Sequence, residues 1–137
     1  MREILFRGKR TYNGEWFFVD DMRQYGDMIY LFGGADRGYS VACHHIIPET
    51  IGQYTGLRDK NCEGIFEGDI VRAEICEGSY QGFRFPVGEV VFEKGAFCIK
   101  DYKQTTPLSS YSPRVQFEVI GNIHDNPDLM KNEEAQK

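Results

Sequence analysis

Apolar residues in this chain occur in short, mostly alternating groups, each followed by Gly, Asn, Asp or Pro residues that favour a turn. The longest unbroken apolar run has five residues, at positions 28–32, far short of the ~20 that a membrane-spanning helix needs. Gly contributes 15 of the 137 residues, Phe contributes 10 and Tyr contributes 8. Aromatic residues suit pleated, half-buried strands, and Gly suits the tight turns between them. The sequence therefore predicts an all-β protein of short strands.

Turn signals divide the chain into eight to ten predicted strands. Asn13-Gly14 joins the first two strands as a hairpin, and Gly95 closes a later hairpin. The polar residues 20–27 are predicted to form a loop. Thr106-Pro107-Leu108 suggests one further turn of helix.

Pro48 is the expected boundary between two parts of the fold, because the apolar pattern restarts after it. We expect an N-terminal β subdomain at 1–48, a second subdomain at 49–130 and a frayed tail at 131–137. Gly68-Asp69 enters an apolar strand, as in many SH3-like barrels. The expectation is therefore one or two small barrel-like subdomains, the second SH3-like, with a short helix starting near Asn126-Pro127.

Charge argues against nucleic acid as the partner. The chain carries 16 Lys and Arg against 21 Asp and Glu, a net charge of −5. The one basic cluster lies near the start, at Arg2, Arg7, Lys9 and Arg10, and we expect these side chains to face outward from the first strand. Because the cluster is small and the chain is acidic, nucleic-acid binding is only the alternative to the leading interpretation.

The thiol and imidazole groups show no metal-binding spacing. Cys43, Cys62, Cys76 and Cys98 form no Cys-x-x-Cys pair, and no export signal opens the chain, so we expect free thiols in a cytoplasmic protein. His44 and His45 would point to opposite faces of an extended segment, which prevents them from chelating one ion. No cofactor is expected.

Four residues form the only arrangement that suggests catalysis. Asp59, Glu67 and Asp69 together with His124 would suit a metal-dependent nuclease. Asp59 and Asp69, however, stand in turns, where Asp is favoured because its side chain bonds nearby backbone N–H groups. The structural interpretation therefore ranks above catalysis.

Trp16, Phe17 and Phe18 are consecutive, so at least one ring must face away from the others. We expect Phe17 to be the outward ring, available to a symmetry mate or a second subdomain rather than to nucleic-acid bases.

Several segments resemble the YopX family of phage and prophage proteins. The segments are PETIGQYTGLRDKN at 48–61, IFEGDIV at 65–71, REILFR at 2–7, GEVVF at 88–92, GAF at 95–97 and FEVIGNIHDNP at 117–127. Cys62 departs from the pattern, since Gly usually follows Asp-Lys-Asn there. The resemblance implies a small β-rich protein of mobile genetic elements that is inclined to self-assemble, and it transfers no catalytic residue.

These features predict a non-enzymatic module that associates with proteins. The expected partners are the chain itself, as a homo-oligomer, and another phage or host protein, with no membrane contact. Nucleic-acid binding is the alternative, and the nuclease ranks last. The interaction candidates are Arg7, Lys9, Arg10, Phe17, Arg58, Asp59 and Lys60.

Overall fold

The structure is a computed structural model that describes residues 3–33 and 42–130, without the side chains of residues 33 and 42. Arg2 and the predicted frayed tail at 131–137 lie outside the described residues. The chain divides into two compact units, Met1–Gly56 and Leu57–Lys137, called unit 1 and unit 2 below.

Most of the ordered elements in the described residues are strands. Two 3₁₀ turns and a short helix, described at residues 128–130, complete them. The predicted all-β class with a short C-terminal helix is confirmed. No helix in the described part of the chain has the length and apolar character needed to cross a membrane.

Unit 1 contains two antiparallel arrangements of strands. The strands are β1 (Phe6–Lys9), β2 (Trp16–Val19), β3 (Asp21–Tyr25), β4 (Met28–Gly33), β5 (Ala42–Ile46) and β6 (Gly52–Arg58). β1 pairs with β2 on one side and β6 on the other, whereas β3, β4 and β5 form a separate sheet in that order. A 3₁₀ turn at Pro48–Thr50 connects β5 to β6, and β6 runs across the boundary between the units.

The opening hairpin forms at the predicted Asn-Gly turn. The side-chain oxygen of Asn13 accepts the N–H of Glu15 at 3.0 Å, and Gly14 has a φ of 70°. An Asn side chain that bonds the backbone two residues on imitates a backbone turn, and Gly adopts positive φ without strain. The prediction of a hairpin between β1 and β2 is therefore confirmed.

The predicted loop at 20–27 is wrong, because most of it is β3. Five of its residues pair with β4, from Asp21 opposite Phe32 to Tyr25 opposite Met28. Only Met22 among them packs against the unit 1 core, so the strand has little apolar pattern to reveal it.

The core of unit 1 is formed by side chains from one face of β2, β4 and β5. Its buried members are Val19, Ile29, Leu31 and Ile46. In the apolar run of β4, Ile29 and Leu31 are buried while Met28 remains 47% exposed. The pleat thus separates neighbouring apolar residues onto two faces.

Unit 2 contains a five-stranded antiparallel sheet. Its strands are β8 (Asp69–Ile75), β9 (Gly88–Glu93), β10 (Ala96–Lys100), β11 (Thr105–Pro107) and β12 (Val115–Asn122), and β7 (Gly64–Phe66) precedes them as the neighbour of β6. The order is β11-β10-β9-β8-β12, so the last strand of the chain returns to pair with the first strand of this sheet. A 3₁₀ turn at Leu108–Ser110 separates β11 from β12.

The expected closure into a barrel does not occur. β11 and β12 each have a single neighbour in the sheet order, so the sheet is open. Turn residues specify where the chain bends, but closure depends on the tilt and stagger of whole strands. The count of eight to ten strands was also too low, since the described residues contain twelve. The helical turn expected at Thr106-Pro107-Leu108 forms two residues later, as the 3₁₀ turn at Leu108–Ser110, because Thr106 and Pro107 belong to β11.

The second core fills one face of the unit 2 sheet. Its buried members are Ile65, Val71, Val90, Ile99 and Leu108. Phe97, Tyr111, Phe117 and Val119 pack against it.

The β9–β10 hairpin turns through two residues of positive φ. Glu93 pairs with Ala96, leaving Lys94 (φ 51°) and Gly95 (φ 79°) as the loop. Two positive φ angles are typical of the type I′ turn, which prefers Asn followed by Gly. Lys94 is therefore the unfavourable residue of this turn.

We expect Lys94→Asn to stabilise the protein, because Asn tolerates the left-handed conformation better than Lys. The free energy of unfolding in urea should rise by roughly 0.5 kcal/mol. Lys100→Asn, in the adjacent strand, is the control and should not stabilise. Equal effects of the two changes would contradict this assignment of the turn.

Candidate binding site

The basic residues of the first strand do not face outward as a row. Arg7 is buried, with its guanidinium carbon 4.7 Å from the centre of the Trp16 ring. Lys9 Nζ lies 5.3 Å from the same ring, and the Arg10 guanidinium carbon lies 4.5 Å from the centre of the Phe17 ring. Cations over aromatic faces gain roughly 0.5–1 kcal/mol each at exposed sites and more when desolvated. The expectation of outward-facing charges is therefore wrong for Arg7, because the neighbouring β2 supplies aromatic faces to cover it.

Phe17 faces the core of unit 1, which corrects the expectation that it points outward. Phe17 and Val19 share the inner side of β2, whereas Phe18 is 53% exposed. The ring of His44 lies 4.0 Å from that of Phe17. Four consecutive apolar residues offer no contrast between faces, so the sequence could not distinguish the two orientations.

His44 and His45 lie on opposite sides of β5, as an extended segment requires. His44 contacts Phe17, and His45 stacks on Tyr30 at 5.0 Å between ring centres. Burial lowers the pKa of His44, and the positive charge of Arg10 lowers it further. His44 therefore favours its neutral form and acts as a packing group.

Asp59 is buried in the turn between β6 and β7, and its carboxylate accepts three backbone N–H groups. Oδ1 accepts from Asn61 and Glu63, both at 2.9 Å, and Oδ2 accepts from Val119 of β12 at 3.0 Å. Hydrogen bonds to a charged acceptor are stronger than neutral ones. Asp59 thus holds its own turn and fixes that turn to the last strand.

Arg58 and Lys60 flank Asp59 and are exposed. Arg58 Nη1 donates to the carbonyl of Cys62 at 3.1 Å, and Lys60 Nζ lies 3.7 Å from Glu118 Oε2. The backbone N–H of Lys60 donates to the carbonyl of Phe117 at 2.8 Å. The three candidates from the sequence therefore lie together in one turn whose contacts stabilise the fold.

Asp69 is 2% exposed and accepts the N–H of Phe66 on Oδ2 at 2.8 Å, and the preceding Gly68 has a φ of 90°. This is the strand-entry geometry expected for a structural Asp. The backbone N–H of His124 donates to the side-chain oxygen of Asn122 at 3.0 Å. Among the described residues, no group of three or more His, Cys, Asp or Glu side chains is arranged to hold a metal ion. The structure does not bring Asp59, Glu67, Asp69 and His124 together as a metal centre.

The four thiols are free, as the sequence predicts. Cys98 is buried, and Cys76 donates its thiol hydrogen to the carbonyl of Arg114 at 2.9 Å. Cys43 and Cys62 are exposed.

A cavity of about 390 Å³ lies in unit 2 beside the 3₁₀ turn that follows β11. Its walls come from residues 75–85, from residues 104–112 and from the start of β12. The apolar lining consists of Ile75, Tyr80, Phe85, Tyr111 and Val115. The volume lies within the roughly 300–1,000 Å³ typical of ligand-binding clefts. This cavity is the candidate binding site.

Four aromatic rings connect the mouth of the cavity to the unit 2 core. Ring centres are 5.2 Å apart for Phe83 and Phe85, 5.4 Å for Phe85 and Tyr111, and 5.2 Å for Tyr111 and Phe117. The interplanar angles are 89°, 87° and 86°, so each ring presents its edge to the next ring's face. Such pairs contribute roughly 0.5–1.5 kcal/mol beyond area burial. These four rings, called the aromatic ladder below, therefore fix the β8–β9 connection to the core.

Polar groups complete the cavity wall. A Cβ on Gly78 (φ 93°) would lie 3.0 Å from Nη1 of Arg114, so glycine allows the guanidinium to lie against the β8–β9 connection. Burial raises the pKa of Tyr111, and the negative charge of Asp101 adds to the rise. A hydrogen bond with the side chain of Thr106 lowers the pKa of Tyr111 and opposes this rise. The net rise keeps the proton on the Tyr111 hydroxyl at neutral pH.

Sequence reasoning assigned no role to the β8–β9 connection, yet this segment forms much of the site. The available signal was the alternation of Tyr80, Phe83 and Phe85 with glycines between two predicted strands. The two strands that this connection joins do not cover its aromatic rings. The rings are therefore expected to pack against another element of the fold.

A family model described as YopX protein matches residues 5–131. The chain belongs to the YopX family. Among solved structures, this YopX chain is similar to the crystal structure of protein EF1440 from Enterococcus faecalis, with a TM-score of 0.55 and 26% sequence identity. The match covers 95% of this chain and 99% of that one. A search of the curated proteins found no match.

The departure of this chain from the YopX pattern falls at a backbone position that favours glycine. Cys62 has a φ of 65° in the turn held by Asp59. A side chain in this left-handed region costs roughly 1–2 kcal/mol. The turn keeps its shape despite Cys62, because the surrounding hydrogen bonds hold it.

We expect Asp59→Ala to lower the free energy of unfolding by about 3 kcal/mol, since three N–H groups lose their acceptor. Lys60→Ala removes only an exposed ion pair and should cost less than ~1 kcal/mol. Urea unfolding of both variants measures the difference. A loss for Asp59→Ala no greater than that for Lys60→Ala would contradict the anchoring role.

Cys62→Gly should stabilise the turn by roughly 0.5–1 kcal/mol, because the relief of left-handed strain exceeds the added entropy of the unfolded chain. Cys62→Ala is the matched control, as it removes the thiol and keeps the Cβ. Thermal melts under reducing conditions give the comparison. Stabilisation by alanine as large as that by glycine would assign the effect to the thiol instead of the backbone.

Proposed function

We propose that this YopX-family chain acts by protein association, as a non-enzymatic binding module whose contact surface is the aromatic cavity of unit 2. The observation that supports this is the rim of the cavity, where Tyr80 is 76% exposed, with the neighbouring Phe83 54% exposed. Large rings bury much area with few rotatable bonds, and they are enriched at the centres of protein interfaces. The rim is the surface where we expect a partner to bind.

Self-association is part of the proposal and involves unit 1. Phe18, Tyr25 and Met28 are 53%, 52% and 47% exposed. Exposed apolar side chains of this size are commonly covered in an oligomer. A homo-oligomer that covers them, with another phage or host protein at the cavity, suits a phage- or prophage-derived protein of the cytoplasm.

Charge supports protein association over nucleic-acid binding. The net charge is −5, Arg7 is buried, and Arg10 lies over Phe17. Nucleic-acid binding depends on cations that reach phosphates and release counterions. The carboxylates of Asp59 and Asp69 accept backbone hydrogen bonds, which likewise favours association over catalysis.

A photo-crosslinking phenylalanine analogue in place of Tyr80 tests the proposal in cells that express the protein. We expect ultraviolet light to link position 80 to a different protein, because the proposal assigns the cavity to that partner and self-association to unit 1. The same analogue at Tyr12, which is 77% exposed, is the matched control and should capture far less.

Light scattering on the purified chain distinguishes the two kinds of partner. A mass above 15.8 kDa indicates a homo-oligomer, and crosslinking of position 80 to a second copy would place the self-contact at the cavity instead of on unit 1. No difference between positions 80 and 12 in the crosslinking yield would overturn the assignment of the cavity as the contact surface.

A further inference from the structure

The shape of the cavity restricts what can lie in it. It lies between the β8–β9 connection and the segment that follows the 3₁₀ turn, and rings from both sides meet there at 87°. Rings at right angles offer both a face and an edge to a flat or compact apolar group that lies in the cavity. Proline-rich segments bind grooves lined by aromatic rings in this way.

The polar lining favours a ligand that accepts hydrogen bonds. Tyr111 keeps its phenolic proton and is hydrogen-bonded to the side chain of Thr106, while Ser110 and Arg114 add a hydroxyl and a guanidinium donor. A polyproline II segment has no internal hydrogen bonds, so its carbonyl groups are unpaired, and proline brings no N–H that needs an acceptor. The donors of the cavity and the acceptors of such a segment are complementary.

Charge indicates which flanking residue the segment carries. Unit 2 has ten Lys and Arg against fourteen Asp and Glu, a net charge of −4. Glu77 lines the cavity and forms no ion pair with any described residue, whereas Glu74, nearby in sequence, lies 3.9 Å from Arg84. A cationic side chain next to the proline segment would supply the missing partner for Glu77.

This sequence has no Pro-x-x-Pro segment of its own. The five prolines of this chain are Pro48, Pro86, Pro107, Pro113 and Pro127, and no two are closer than six residues. The chain therefore contains no Pro-x-x-Pro segment to offer to a second copy.

From these observations we infer that the cavity binds an extended, proline-containing segment of a partner protein, with a basic residue placed against Glu77. The inference rests on the proposed function and specifies the partner's chemistry. Tyr80, Phe85 and Tyr111 contact the proline rings, and Arg114 and the hydroxyl groups bind the carbonyl oxygens.

Fluorescence anisotropy with a labelled synthetic peptide tests the inference. The probe has about ten residues, with two overlapping Pro-x-x-Pro motifs and one terminal Arg, and we expect a Kd of roughly 10–100 µM. Replacing its prolines by alanine should weaken binding at least tenfold, and replacing its Arg by Glu should weaken it about fivefold.

Variants of the protein locate the site. Tyr80→Ala should weaken binding about tenfold, and Glu77→Gln about fivefold for the Arg peptide alone. Tyr12→Ala and Glu93→Gln are the matched controls and should leave the Kd unchanged. Tyr80 and Glu77 are exposed, so neither variant removes a core contact.

Three results would overturn the inference. If the alanine peptide binds with the same Kd as the proline peptide, the ligand does not need proline. If Tyr80→Ala leaves the Kd of the proline peptide unchanged, the peptide does not bind in the cavity. No binding at 1 mM peptide, combined with specific crosslinking at position 80, refutes the proline ligand and leaves protein association standing. Loss of both signals refutes the proposed function as well.

Discussion

The buried carboxylate of Asp59 is the contact on which the arrangement of unit 2 depends. The pairing of β12 with β8 is interrupted by a bulge just after Val119, and Asp59 supplies the acceptor for the Val119 N–H at that point. The same carboxylate closes the turn before β7. One buried carboxylate thus accepts amides from two segments that are distant in sequence, at part-buried positions, and holds those segments together.

From β12 the effect of this anchor extends to the binding site. The strand begins at Val115, which lines the cavity, and Phe117 ends the aromatic ladder in the core. The position of the cavity wall therefore follows from how β12 is held along its length. On one side the site includes Tyr111, which packs against the unit 2 core, and on the other side it includes the irregular β8–β9 connection.

Local chemistry was sufficient to predict much of the fold. The Asn13-Gly14 hairpin and the Gly68-Asp69 strand entry occur as the residues indicate, because both depend on interactions within a few positions. β3 was missed because its buried contact is made almost entirely by Met22. The orientation of Phe17 was predicted wrongly, since a run of apolar residues leaves the choice of face to tertiary packing.

The cavity could not be predicted from the sequence, because it too depends on tertiary packing. Tyr80 and Tyr111 are 31 positions apart, and no periodicity links them. Their approach depends on the return of the chain through β9, β10 and β11. The candidate residues that sequence did single out, such as Asp59, are conspicuous for their chemistry and serve the fold, whereas the cavity is made of residues that look like ordinary core.

The chain has one tryptophan, Trp16, and it lies in unit 1, with Arg7 and Lys9 over its ring. Light absorbed by indole and not by phenol therefore excites unit 1 alone, whereas Tyr80 and Tyr111 belong to unit 2. The unmodified chain consequently has an intrinsic tryptophan fluorophore in unit 1 only. The indole signal therefore reports the unfolding of unit 1, because Trp16 loses the two cations over its ring when β1 and β2 separate.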